Sequence, residues 1–458
     1  MSVFETIPNR SRELVLRGLD SFSGANIVAK ARFLELHGKQ SKEHVQATQR
    51  KRLTRMLKFA VQNIPYYKKA FSGYSLFTGD SVDISVFEKL PLLTKHDIQN
   101  QQKALQSPNL KSGTYTNSSG GSTGKPAAFL QDREYYRWNV ANKIYFKQLG
   151  GQRLGDRELR LWGSEADVLA GRESALKRMQ SWIYNRREVN TFYWDTAAMD
   201  EAISLLADWR PTWVEAYVQS AVSLAAELKK RDISISGPKG LVVTAGTLYG
   251  HWQKELEAVF HCPVYNRYGS REVGDMAFTC PCGNHMLLSA WHHYIELLDD
   301  ENKPVAPGQV GRVVVTTLTN RAMPLIRYDI GDVAQAAMPD QVCDEYGWPA
   351  IATVKGREVG IFKTAGGVRI DGEYFTHLMY YQDWCRQFQF RQVSHTKIEV
   401  LVVVADGKTK DFQEAKATIT TNIKKVMGQN TEVAFKVVDH IPALPSGKYM
   451  YCISEVDE

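Results

Sequence analysis

The chain has 458 residues, 43% hydrophobic and 23% charged, close to the globular averages of ~45–50% and ~25%, which excludes collagen-like, low-complexity and grossly disordered classes and allows two or three domains. Its 57 Lys and Arg against 50 Asp and Glu give a net charge of +7, too mild and too dispersed to select nucleic acid over an anionic small molecule. No run approaches the ~18–20 apolar residues of a membrane helix, the first twenty residues lack the apolar core of a signal peptide, and six cysteines are too few for a disulfide framework, so a cytoplasmic protein with no transmembrane segment is expected.

In chain order, residues 1 to about 70 read as a helical cap, with aliphatics recurring in SRELVLRGL (11–19) and RLTRMLKFAVQNIPYYKKAF (52–71) and a break at Pro65. Short β-rich and helical runs then alternate. TWVEAYVQSAVSLAAELKKR (212–231) is helix-like, GLVVTAG (240–246) strand-like, HWQKELEAVF (251–260) helix-like and GRVVVTTLT (311–319) strand-like, which predicts an α/β fold with a largely parallel sheet in its first part. After about residue 356 the character changes. KIEVLVVVADG (397–407) reads as a strand and turn, DFQEAKATITTNIKKVM (411–427) as a helix and TEVAFKVVDHI (431–441) as a strand, so a small α+β domain is expected there. The expected division is 1–356, including the 1–70 cap, and 357–458.

The strongest local signal is Ser118-Ser119-Gly120-Gly121-Ser122-Thr123-Gly124-Lys125-Pro126. Glycines let backbone N–H groups converge on an oxyanion, while the hydroxyls and the lysine add donors, so a phosphate is the natural guest. It is not a Walker loop, which requires glycine where Ser119 stands and Ser or Thr where Pro126 stands. A flexible Gly/Ser linker is the plain alternative, but this run leads through lysine and proline straight into the strand-like AAFL (127–130).

SSGGSTGKP resembles the phosphate loop of the adenylate-forming (acyl- and aryl-CoA synthetase) superfamily, and the later motifs follow in the family's order. Tyr268-Gly269-Ser270-Arg271-Glu272 is similar to its Tyr-Gly-x-x-Glu motif, Arg327-Tyr328-Asp329-Ile330-Gly331-Asp332 to its Arg-x-x-Gly-Asp region, Gly356-Arg357 to its hinge and Pro445-Ser446-Gly447-Lys448 to its C-terminal lysine motif. PTWVEAY, CPCGNH and PLIRYDIGD look most like the phenylacetate-CoA ligase-like branch, including related enzymes of capsular polysaccharide clusters. The resemblance implies a large multi-sheet α/β domain that binds ATP and the acid, and a small mobile α+β lid.

It also implies roles. Joining a carboxylate to the α-phosphate of ATP brings two anions together, so positioning and electrostatic stabilisation carry the chemistry. Ser119, Gly120, Gly121, Ser122, Thr123, Gly124 and Lys125 would hold the β- and γ-phosphates. Glu272 would carry Mg2+, and Tyr268, Gly269, Ser270 and Arg271 would form the adenine wall. Asp332 would hold the ribose hydroxyls with Arg357 nearby, and Lys448 would bridge the carboxylate and the α-phosphate. Ala245-Gly246, with Trp162-Gly163-Ser164 and Tyr217, would line the nucleotide and acyl end, although such aromatics are more often core. Three positions depart from the family pattern: Val359 stands where the hinge has Asp or Lys, Thr247 where many relatives have Glu, and Asp329 where others have Arg.

Cys280-Pro-Cys282 followed by His285 is a compact soft-ligand cluster. Some relatives carry a zinc-binding insert at this place, which implies structural Zn2+, with Cys262, His292 or His293 as candidate fourth ligands; buried thiols beside a surface histidine are the alternative. The reading as a whole is an ATP-dependent ligase that makes an acyl-AMP from a small-molecule carboxylic acid and passes the acyl group to a thiol, coenzyme A by default. Carrier-protein phosphopantetheine or a sugar amine or hydroxyl is the alternative acceptor, and a non-turnover nucleotide-binding partner is the alternative class. A homodimer is compatible with the reading, and a nucleic-acid partner is not expected.

Overall fold

The computed structural model describes residues 9–118, 127–163, 181–191, 193–194, 196–283, 285–355, 361–379, 382, 384–441 and 451–456. A single sheet of eleven strands runs through the larger part of the molecule. Strands Arg186–Asn190, Glu158–Trp162, Trp213–Tyr217, Gly240–Thr244 and Val264–Ser270 lie side by side in that order and are parallel. Parallel neighbours need crossovers, which helices Val218–Lys230 and Gly250–Phe260 supply. Beyond Val264–Ser270 the sheet becomes antiparallel, through Gly274–Thr279, Met286–Leu288, Ala350–Lys355, Tyr328–Ala336, Val310–Thr317 and His293–Leu298.

One expectation is corrected. Residues 212–231 are not helical throughout: Trp213–Tyr217 is a strand with all five residues buried, and the helix begins at Val218. A short run buried on both faces carries neither the strand nor the helix periodicity, and here pairing with Glu158–Trp162 and Gly240–Thr244 decides it.

At the N-terminal side, Asn9–Phe22, Ile27–Gly38 and Lys42–Asn63 are helices. Pro65 opens a further helix, Pro65–Ala70, at a position where its missing N–H is not needed. Helix Ile27–Gly38 packs on helix Arg133–Leu149, which borders the candidate site. Asp132 starts that helix by accepting from Tyr135 N at 2.7 Å, a cap of the kind that contributes ~1 kcal/mol. Its second oxygen accepts from Arg321 N at 2.9 Å, which ties the helix start to the antiparallel half of the molecule.

The C-terminal part holds a four-stranded sheet in the order Glu432–Val437, Lys397–Val404, Cys385–Ser394, Cys452–Ser454, with helices Gly372–Leu378 and Thr409–Met427. The strand, helix and strand read from 397–441 are all present. Phe388, Phe390, Val400 and Ile423 centre its core, which also takes in Tyr217 from the large sheet. The expected boundary at 356/357 falls outside the described residues.

Candidate active site

A cavity of about 760 Å³ opens at the C-terminal ends of the parallel strands, the usual ligand position in α/β sheets. Tyr268, Gly269, Ser270, Arg271 and Glu272 line it, as do Asp332, Ala245-Gly246, Trp162-Gly163 and Tyr217. Thr376, Phe388 and Tyr451 reach it from the C-terminal part. Sequence reading thus brought together residues from five separate segments, and the fold places them around one space. Ser119 to Lys125, Ser164, Arg357, Val359 and Lys448 lie outside the described residues.

Tyr268 and Asp332 meet directly: the tyrosine hydroxyl donates to Asp332 Oδ2 at 2.8 Å. Two backbone features make this possible. At Gly269 the strand Val264–Ser270 shifts register against Gly274–Thr279, and a side chain there would come within 2.8 Å of Gly274 O. Gly331, just before Asp332, has φ +80°, a left-handed conformation that glycine adopts without strain. Its N–H donates to Asp329 Oδ1 at 3.1 Å.

Glu272 is almost fully buried at the cavity wall. The segment that carries it is tied to the hairpin Tyr115–Ser118 and Ala128–Gln131, whose two strands flank the Ser119–Pro126 run. Gln131 Nε2 donates to Arg271 O at 2.9 Å and to Glu272 O at 3.1 Å, and Asn117 Nδ2 donates to Arg271 O at 3.2 Å. Neither Asn117 nor Gln131 carries a motif signal, and only the three-dimensional contact reveals them.

The departure at Asp329 and the role of Arg327 beside it have a structural explanation. Arg327 is buried and bidentate to Glu296, at 2.9 and 3.2 Å, and also donates to the carbonyls of Glu88 and Leu90. Asp329 pairs with Arg312. Both side chains are spent on holding the strand Tyr328–Ala336 in place.

Behind the cavity lies an ion network unusual for its burial. Glu215 Oε1 is 2.7 Å from Arg267 Nη2, and Glu215 Oε2 is 2.6 Å from Lys147 Nζ and 3.5 Å from Arg160 Nε. Lys147 also contacts Glu158, which pairs with Arg186 at 2.8 Å. Arg160 lies 3.8 Å from Glu188, and Arg267 lies 3.7 Å from Asp275. The three cations around Glu215 hold its carboxyl well below the usual range, against the opposing effect of burial.

The cysteine cluster is tighter than its spacing suggested, and its fourth member is corrected. Cys343, 58 residues past His285, joins it: Cys282 and Cys343 are paired as a disulfide, and Cys280 Sγ lies 3.0 Å from Cys282 Sγ and 3.4 Å from Cys343 Sγ. Ligand atoms of Cys280, His285 and Cys343 lie within 4.8 Å of one another. His285 is buried, and neither ring nitrogen makes a hydrogen bond of good geometry among the described residues, the Gln341 backbone being the nearest partner, which leaves a lone pair for something else to take. The three earlier candidates are elsewhere. His293 donates to Val273 O at 2.7 Å, His292 Nδ1 lies 2.6 Å from Thr319 Oγ1, and Cys262 packs in the parallel-sheet core.

Comparison with known proteins agrees with this picture. Residues 362–455 match the family model of the CapK C-terminal domain. The chain is 23% identical over 414 residues to Protein CapK of Staphylococcus aureus, covering 89% of each chain. It is 23% identical to the phenylacetate-coenzyme A ligase of Aromatoleum evansii, covering 67% of this chain and 70% of that one. A solved structure of 2-hydroxyisobutyryl-CoA ligase, with 2-HIB-AMP and CoA in the thioesterification state, shares the fold with a TM-score of 0.59, 17% identity and 91% coverage of each chain. Among the described residues no helix is long and apolar enough to cross a membrane. The motif residues thus gather at one cavity in a chain whose C-terminal part matches the CapK C-terminal domain and which is similar along most of its length to Protein CapK and, over two thirds of it, to a phenylacetate-coenzyme A ligase.

Proposed function

We propose that the protein activates a carboxylic acid with MgATP and then transfers the acyl group to a thiol, coenzyme A in the first place. A carboxylate oxygen attacks the α-phosphorus, the bond to pyrophosphate breaks, and acyl-AMP forms. The thiol sulfur then attacks the acyl carbon, the bond to AMP oxygen breaks, and the thiol proton passes to solvent. The observation that carries the reading is the Tyr268–Asp332 hydrogen bond beside Glu272 in one cavity.

In this reading Tyr268 offers its ring to the adenine, and Asp332, held by the tyrosine hydroxyl, accepts from the ribose hydroxyls. Glu272 is a hard oxygen donor at the cavity wall and fits Mg2+, which supplies charge neutralisation on the phosphates when bound. The Ser119–Lys125 run holds the β- and γ-phosphates; its flanking hairpin is hydrogen-bonded to the Glu272 segment. Residues 357–458 act as the lid and Lys448 as its lysine; Tyr451, three residues further on, lines the cavity. With the Cys282–Cys343 disulfide reduced, three thiols and a buried histidine make the donor set of a thiolate-rich Zn2+ site. The reduced protein would hold the ion through Cys280, Cys282, His285 and Cys343, a structural role apart from the chemistry.

In a second reading the same adenylate serves another acceptor. That acceptor would be a carrier-protein phosphopantetheine or a sugar amine or hydroxyl. The test is pyrophosphate release from MgATP against a panel of aryl, fatty, hydroxy and dicarboxylic acids, with and without coenzyme A. Acid-dependent release establishes the adenylation, and thioester formation with coenzyme A establishes the acceptor. Release that coenzyme A does not consume selects the second reading, and no release with any acid overturns both.

A further inference from the structure

We propose that the acid taken by this site carries a second carboxylate at the end remote from the reacting one, and that Lys143 receives it. The inference rests on the adenylation reading above and names its substrate class.

Helix Arg133–Leu149 forms one wall of the cavity, and Tyr135, Asn139 and Lys143 stand four residues apart on the face it presents there. Glu272 lines the same cavity. Lys143 lies two turns beyond Tyr135, ~12 Å along the helix at 1.5 Å per residue, where Asp275, Arg267, Glu215 and Arg160 influence it.

That far end is polar. Arg267 and Asp275 line it together with Asn139 and Asn266. Arg267 is buried, and its Nη1 has no hydrogen-bond partner among the described residues, while its Nε faces Asp275 Oδ2 at 3.7 Å, an ion pair beyond hydrogen-bond range. Such atoms are costly to leave unmade in a finished core, and natural in a wall that a polar ligand completes.

The charges point to the sign of that ligand. In the ion network the four cations Lys147, Arg160, Arg186 and Arg267 face the four carboxylates Glu158, Glu188, Glu215 and Asp275, so Lys143 beside them is a cation in excess. Every cation except Lys143 is within 4 Å of a carboxylate. Lys143 is half-buried and makes no hydrogen bond or ion pair among the described residues. Asp275 is the largest single influence and favours its charged form, but burial and the guanidinium of Arg267 leave its pKa below the usual lysine value. An incoming carboxylate supplies the missing charge, whereas an alkyl or phenyl end would bury Lys143 unpaired.

The experiment measures kcat/KM for pyrophosphate release by the full chain with acids matched in carbon number: dicarboxylic acids, their monomethyl esters and methyl-ended monocarboxylic acids. The wild type is expected to favour the dicarboxylic acids by ~100-fold, since a site built to bond a polar group rejects the analogue lacking it. Lys143→Met should abolish that preference while leaving the slower monocarboxylic reaction in place, and Lys143→Arg should keep part of it; melting curves check that each variant folds. Equal or better use of methyl-ended acids by the wild type, or an unchanged preference in Lys143→Met, overturns the inference while leaving adenylation intact. If no acid releases pyrophosphate, adenylation itself fails. Thermal stabilisation by the same dicarboxylic acids, lost in Lys143→Met, then still supports the site, and its absence overturns it.

Discussion

The hydroxyl of Tyr268 donates to the carboxylate of Asp332 across 2.8 Å, joining two motifs 64 residues apart. A carboxylate held in this way is oriented before the nucleotide arrives. Tyr268→Phe keeps the ring and removes the donor, so it should raise KM for ATP by about tenfold with a smaller change in kcat, because ribose contacts act in the ground and transition states alike. Asp332→Ala should raise KM by ~100-fold or more. Steady-state pyrophosphate release at varied ATP checks both, and an unchanged KM in Asp332→Ala removes it from the nucleotide site.

Lys448→Ala should lower adenylation about a hundredfold or more, the scale of losing one donor aimed at developing charge. Acyl-AMP formation in a single turnover is the measurement, with circular dichroism to show that the variant is folded. Near-normal acyl-AMP formation would take Lys448 out of the mechanism.

Cys343 separates a metal site from a thiol pair. Protein purified with a thiol reductant should release about one zinc per chain on denaturation, as a closed four-ligand site requires. Cys343→Ser should lower that content, and Cys262→Ser should not, because Cys262 lies in another core. Free of metal and with two of its thiols unreactive, the wild type would instead hold the disulfide form.

Buried histidines predict the acid response. Burial pushes the pKa of both His293 and His37 down to about 4, and that of His292 well below its ordinary value. A histidine neutral in the folded state and near 6.5 in the unfolded state contributes stability that is full above pH 6.5 and is lost as pH falls towards 4. For the fully buried His293 that loss approaches ~1.4 kcal/mol per pH unit. Glu296, raised to about 7 chiefly by burial and against the pull of Arg327, acts oppositely, but one carboxyl faces three histidines. The melting temperature should therefore fall by several degrees between pH 6.5 and 5. His293→Asn, which keeps a donor for Val273 O, should flatten the slope; a melting temperature constant over this range would show that the histidines do not control it.

The sequence by itself singled out Tyr268, Glu272 and Asp332, by an aromatic face and two carboxylates in a recognisable order, and the fold gathers the three at one cavity. It also determined the α/β alternation and the strand-helix-strand of 397–441, where periodicity is strong. What it could not determine depends on partners distant in the chain. Trp213–Tyr217 is a strand because two neighbouring strands pair with it. Cys343 joins Cys280 and His285 only because the fold returns the chain to them, and no spacing rule spans that interval. Lys143 reads as one more helix lysine until burial, and a wall of other charges already paired, single it out. Proximity and desolvation are properties of the packed chain, and they decide which ordinary residues become part of a site.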